Sequence, residues 1–303
     1  MSNSSIFQNP KSGSIKATGT YDIVDELGNV IKTVVDPKFC GCGLSQDKPI
    51  CDKSHANYVN IVVRMLEDAR KSTQAITPVG TWPLRAFEIR KRQLDNRITS
   101  GENLIGVKFG GALLKGSQET KEYGEVFGFL TDAMKIDETL NLKSLIAPKA
   151  EAEVVFKLAK DLDRAITLDE VKDYVSEVAP GIEVFDCRYG QIDPFIDDAV
   201  ADNACAGAFA IGDWLEAGQV NFENAEISIS ENGNINQKVS ASAISGNPWN
   251  AVAKVSKLLS DAAVALPAGS IIFSGSATTG IPLRAGEYRV EISGLGAVSF
   301  TVS

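Results

Sequence analysis

Polar and apolar positions divide the chain into zones of different period. Residues 1–16 are rich in Ser, Asn and Lys and show no apolar period, so a disordered tail is expected there. TGTYDIVDELGNVIKTVV, from Thr18 to Val35, sets two β-prone runs around ELGN, which has turn chemistry; a β-hairpin is expected. NIVVRMLEDARKS (60–72) and WPLRAFEIRKRQLDNRI (82–98) carry apolar residues at helical spacing and predict two amphipathic helices. Beyond Ser100 the texture changes to short apolar runs broken by glycine, such as NLIGVKFGGALL, and strands are expected. Two helices should interrupt them. One is TLDEVKDYVSEV (167–178), where Thr167 and Glu170 have capping-box spacing; the other is NPWNAVAKVSKLLSDAA (247–263). The final run, PAGSIIFSGSATTGIPLRAGEYRVEISGLGAVSFTVS, reads as consecutive strands and turns. The pattern predicts an α+β, β-rich mixed fold over 59–303. Before it stands a small β-rich unit, 17–58, too short to bury a strong core alone.

Composition changes this picture little. A 303-residue chain that is 44% apolar and 23% charged is ordinary for a globular protein. Its net charge of -9 argues against a nucleic-acid partner, which needs a basic face. No apolar run is long enough to span a membrane, and the polar start lacks the apolar core of a secretory signal. A cytoplasmic protein with no membrane contact is expected. Five cysteines in such a chain do not form a disulfide framework.

The placement of the cysteines matters more than their number. CGCGLSQDKPICDKSH (40–55) holds three of the five cysteines and the only histidine. Cys40, Cys42, Cys51 and His55 make a four-ligand set of thiolates and imidazole that zinc and a [2Fe–2S] cluster both accept. Zinc sites more usually pair ligands as C-x2–4-C, whereas this one opens C-x-C. The pattern C-x-C-x2-S-x3-P-x-C-D-x-S-H resembles the CDGSH iron–sulfur (mitoNEET-like) family. That resemblance implies one [2Fe–2S] cluster on Cys40, Cys42, Cys51 and His55, and a redox partner for it. Ser45, Pro49, Asp52 and Ser54 also match, while Lys53 stands where the family has glycine.

The larger zone carries carboxylates in strand-like runs. Glu151 and Glu153 in PKAEAEVVF share one face of a strand, and PGIEVFDCRYG places Glu183 and Asp186 in a second apolar run. A lone E-x-E is an ordinary exposed strand face. Two acids from one strand and one from a neighbour would make an oxygen-rich, half-open site suited to Mg2+ or Mn2+. GVKFG (106–110), FGFLTD (127–132), PKAEAEVVF (148–156), IEVFDCRY (182–189), VADNA (200–204) and GLGAVSF (294–300) occur in that order. Together they resemble the fumarylacetoacetate-hydrolase-type superfamily, in its 4-oxalocrotonate decarboxylase and 2-hydroxypentadienoate hydratase branch.

The resemblance implies a fumarylacetoacetate-hydrolase-type fold. It implies a divalent metal on Glu151, Glu153 and Glu183, and catalytic Lys108 beside the substrate. The implied reaction is decarboxylation of a 4-oxalocrotonate-like unsaturated 2-oxo acid through a metal-stabilised dienolate. The alternative is hydration of a 2-hydroxypenta-2,4-dienoate-like acid. The hydratases carry an aspartate just before Phe-Gly, where this chain has Val126, which favours decarboxylation. The serine expected after VADNA is Cys205. Asp186 is expected to orient Arg188 or a metal ligand, and Thr278 to lie near substrate. Cys187 reads as a core residue and Arg284 as a surface one. A reading of another class is an electron-transfer or redox-sensing protein with the large domain as scaffold. Both families commonly self-associate, so a homo-oligomer is expected.

Overall fold

A computed structural model describes residues 5–8, 15–41, 45–78, 83–113, 123–190 and 196–303. At the N-terminus, β1 (Ser5–Gln8), β2 (Ile15–Thr18) and β5 (Lys38–Phe39) form a three-stranded sheet. β3 (Thr20–Val24) and β4 (Val30–Val35) form the expected hairpin. Its turn is closed by Asp25, whose carboxylate accepts from the backbone of Leu27 and Asn29. Residues 5–8, expected in a disordered tail, are instead paired antiparallel with β2. Ser-Ile-Phe-Gln has enough β propensity once a partner edge is available.

Helix α1 (Ser54–Ser72) follows, then α2 (Pro83–Thr99). α1 begins inside the Cys/His segment and runs unbroken past position 58, so the expected boundary falls within one helix. Val59, Val62, Val63 and Leu66 recur at helical spacing on one buried face. They pack with Ile89 of α2 in a secondary core that also holds Cys187, Tyr189 and Cys205.

Two sheets build the rest. The larger takes β6 (Leu104–Leu113), β7 (Tyr123–Thr131), β9 (Lys149–Leu158), β10 (Val175–Phe185), β11 (Ala206–Ile211) and β15 (Ile271–Phe273). Their order is β11-β10-β9-β15-β6-β7, with β12 (Leu215–Glu216) and β16 (Ile281–Pro282) attached to β10 and β9. The smaller contains β8 (Thr139–Leu140), β13 (Glu226–Glu231), β14 (Asn234–Ser240), β17 (Gly286–Ile292) and β18 (Gly296–Val302). Its order is β14-β13-β17-β18-β8. β17 and β18 alternate buried and exposed residues, as one-sided strands do. β9 and β10 are buried on both faces, which is why they read as near-continuous apolar runs. The main core joins both sheets and α5 (Pro248–Asp261), with Phe156, Ile182, Trp249, Val290 and Phe300 among its members.

One helix departs from expectation. The capping box at Thr167 and Glu170 forms, but helical structure ends with α3 (Val171–Tyr174). From Val175 the chain is strand β10. Backbone pairing with β9 on one side and β12 on the other overrides the helical spacing of VKDYVSEV.

Candidate active site

Register brings the acids together. β9 and β10 are antiparallel, and Glu151 lies directly opposite Glu183 while Glu153 lies opposite Gly181. Spacing of two keeps Glu151 and Glu153 on one face. One carboxylate oxygen from each of Glu151, Glu153 and Glu183 lies within 4.8 Å of the others. Glu153 and Glu183 are buried at 0% and 1% exposure, and Glu151 is half-buried.

Lys108 comes from β6, two strands away across β15. It pairs with Phe273 of β15 on one side and Gly128 of β7 on the other. Its Nζ stands 2.9 Å from Glu183 Oε1. Beyond that ion pair, Glu183 Oε2 and Glu153 Oε1 are buried without a hydrogen-bond partner. Glu153 Oε2 is held by the backbone N–H of Gly275 at 2.8 Å.

The electrostatics follow from burial. Desolvation, then the Glu183 charge, pushes Glu151 up to about 7. The same causes raise Glu153 well above the carboxylate range. For Lys108, burial works downward, but Glu183, Glu151 and Glu153 outweigh it and hold the ammonium above its ordinary value. Two buried carboxylates and a half-buried one facing a single ammonium, with two buried oxygens unpartnered, are costly unless a cation joins them. The donor set is all oxygen, as a hard divalent ion requires. The residues present therefore fit a divalent metal.

The segment after β15 closes this site, and sequence reasoning picked out only one of its residues. Thr278 is buried and its hydroxyl accepts from Ala152 N, so it fixes β9 between the two glutamates. Gly275 has φ +86°, which lets its N–H face Glu153. A Cβ on Gly280 would lie 2.9 Å from Glu151 Oε1. The turn signal SGSATTG was visible, but only tertiary contact gives those glycines their neighbours.

Other expectations part from the structure. Asp186 is buried, but its carboxylate accepts from the backbone of Ile146 and Ala147, tying the approach to β9 to the end of β10. Arg188 turns instead to Asp202, bonding it through Nε and the backbone N–H. Cys205 does not join the glutamates. It sits with Cys187 and Asp202, ligand atoms within 4.8 Å, under the α1 face. Arg284 is an exposed partner of Glu231, as its surface reading implies.

In the Cys/His segment, Cys42 lies outside the described residues, and His55 is described only as backbone in α1. Cys40 and Cys51 are half-buried. Cys40 N donates to Pro49 O and Cys51 N to Lys38 O, which draws the two cysteine-bearing stretches together. Asp52 accepts from Gln46 N and Ser54 N, and the Ser54 bonds lead in holding its carboxyl well below the usual range. Lys53 has φ +68°. The glycine of the resembled family is explained by that left-handed conformation, which Lys53 adopts at a cost.

Residues 134–303 match the family model described as fumarylacetoacetate (FAA) hydrolase C-terminal, and residues 12–56 match the iron-binding zinc finger CDGSH type. The chain belongs to the fumarylacetoacetate hydrolase family. A 2-hydroxyhexa-2,4-dienoate hydratase of Comamonas testosteroni is 34% identical over 71% of this chain and 84% of its own. A 4-oxalocrotonate decarboxylase of Pseudomonas sp is 29% identical over 81% of this chain and 98% of its own. Two structures of the 4-oxalocrotonate decarboxylase of Pseudomonas putida G7 share the fold. Each covers 82% of this chain and 98% of its own. One is complexed with magnesium and adipate (TM-score 0.75, 23% identity), the other with calcium and acetate (0.74, 25%). Family members of both kinds are lyases, and this chain is an enzyme of that class. Its N-terminal region is of CDGSH type.

Proposed function

We propose that the chain is a divalent-metal-dependent decarboxylase of an unsaturated 2-oxo acid of the 4-oxalocrotonate type. The observation that carries this reading is the triad of glutamates with two unpartnered buried oxygens, set against Lys108. Glu151, Glu153 and Glu183 would hold Mg2+ or Mn2+, and the 25% identical decarboxylase complexed with calcium and acetate supports a divalent ion in this fold. When bound, the metal supplies Lewis-acid stabilisation of the negative charge that develops on the substrate's C2 oxygen.

The chain's own groups do the rest. The Gly275 N–H fixes one Glu153 oxygen and leaves the other directed at the site. Lys108, held cationic by three carboxylates, offers the positive charge that a dianionic substrate needs. In decarboxylation the bond to the departing carboxylate breaks, and its electron pair passes along the conjugated system to the C2 oxygen. A proton then returns to carbon, and Lys108 would give it and be reprotonated from solvent. Addition of water would need a further base. A Cβ on Gly110 would lie 3.6 Å from Lys108 Nζ and 4.0 Å from Val126 Cγ2, so the ground beside Lys108 is apolar at Val126. That supports decarboxylation over the hydratase reading favoured by the 34% identical relative.

The N-terminal unit, set at 17–58 ahead of a catalytic unit at 59–303, would hold a [2Fe–2S] cluster on Cys40, Cys42, Cys51 and His55. A redox partner for that cluster, a homo-oligomeric state and a cytoplasmic location belong to the same proposal. Among the described residues no helix is long and apolar enough to cross a membrane. Incubation of the Mg2+-loaded enzyme with 4-oxalocrotonate and with 2-hydroxypenta-2,4-dienoate decides the chemistry. Release of CO2 supports decarboxylation; water addition without CO2 overturns it in favour of hydration. Loss of function in Cys42→Ser with Glu151→Gln fully active would overturn both and leave an electron-transfer protein.

A further inference from the structure

A second concentration of charge lies away from the glutamates. α1, α2 and β7 enclose a cavity whose lining includes Arg70, Arg90, Arg97 and Arg188, with Leu94 and Phe129 as apolar walls. Four arginines line it, and no carboxylate does. Two of the four are matched from outside: Arg188 by Asp202, and Arg97 by Glu102 at 3.4 Å. Among the described residues no carboxylate pairs with Arg70 or Arg90.

Arg90 is the anomaly. It is 3% exposed, and its Nε is buried without a hydrogen-bond partner. One terminal nitrogen donates to Phe127 O, and the guanidinium lies 3.9 Å from the centroid of the Phe127 ring. Aromatic faces soften the burial of a cation but do not neutralise it. Burial alone pulls Arg90 down to about 9. Arg97 is lowered as well, first by burial and then by Arg70, with Glu102 opposing. A buried, uncompensated charge of this kind is costly unless a counter-ion is present.

We propose that this cavity is a chloride site, with Arg90 Nε as the inner donor and Arg70 and Arg97 at its mouth. Size selects the ligand. The cavity is small, about 10 Å³, which favours a monatomic anion over a phosphate or sulfate. A water would fill the space but leave the positive charge uncompensated. The anion would also brace β7, since Arg90 holds Phe127 O and the next residue, Gly128, pairs with Lys108. The site does not depend on which lyase reaction the enzyme performs.

The test uses the full-length protein in chloride-free gluconate buffer, titrated at matched ionic strength with chloride, bromide, gluconate or sulfate. Chloride and bromide are expected to raise the melting midpoint by about 2–4 °C above the gluconate control. Arg90→Met is expected to abolish the halide-specific part. If that variant does not fold, Arg70→Gln, at the exposed mouth, is expected to shift the halide titration to higher concentration. Bromide-soaked crystals should show an anomalous peak beside Arg90 Nε. Equal response to all four salts, a response to sulfate alone, or crystals without that peak would overturn the site.

Discussion

Removal of metal should turn the glutamate cluster into a liability that grows with pH. In the metal-free protein, burial and Glu183 push Glu151 from about 4.5 to about 7. The folded state therefore binds a proton that the unfolded chain gives up, and stability is lost as pH rises from about 4.5 through about 7. That interval of about 2.5 pH units, at about 1.4 kcal/mol each, sets an upper bound of about 3–4 kcal/mol. Glu151→Gln carries no proton to lose, and the difference between the two proteins reports Glu151 together with its coupling to Glu153, Glu183 and Lys108. With EDTA, urea midpoints of wild type and Glu151→Gln should be close at pH 4.5. At pH 8 the variant should be more stable by up to about 3–4 kcal/mol. Saturating Mg2+ at pH 8 should reverse the order, since ligation stabilises the wild type and the variant has lost a ligand. A difference that stays constant with pH in EDTA, or equal stabilisation of both proteins by Mg2+, would refute the cluster as a metal site.

Lys108→Met should lower turnover by about 100-fold or more while the Mg2+-loaded protein remains folded by circular dichroism; near-normal turnover would remove Lys108 from the chemistry. Cys42→Ser should bleach visible absorption from the N-terminal unit and leave the Mg2+-dependent turnover unchanged, and a parallel loss of both would show that the cluster takes part. Asp202→Asn strips the buried Arg188 of its counter-charge and should cost about 3–5 kcal/mol in chemical denaturation. Gly106→Ala should destabilise strongly or abolish soluble expression, because its Cβ would lie 2.0 Å from the Ile271 carbonyl oxygen on the strand beside Lys108.

Much of this protein is legible in local pattern. Spacing marks α1, α2 and α5, and TGTYDIVDELGNVIKTVV marks the first hairpin, because helix faces and turns are set by residues a few positions apart. E-x-E in β9 is likewise a local fact: period two alone puts both acids on one face. The motifs of the two zones carry the family resemblance and the candidate residues in local sequence.

What the chain's order cannot carry is pairing between distant segments. VKDYVSEV has helical spacing, yet strands on both sides claim it from Val175 onward. Arg188 lies two residues from Asp186, but the fold gives it Asp202 and leaves Asp186 to two backbone amides. Gly275 gains meaning only because β15 ends beside Glu153. Arg90 is one polar residue in a helix until α1 and β7 close over it without a carboxylate. Sequence alone determined which chemistry was present, since side-chain identity is local. Tertiary structure decided which charges would be buried together, since desolvation and Coulomb forces depend on distance in space and not along the chain.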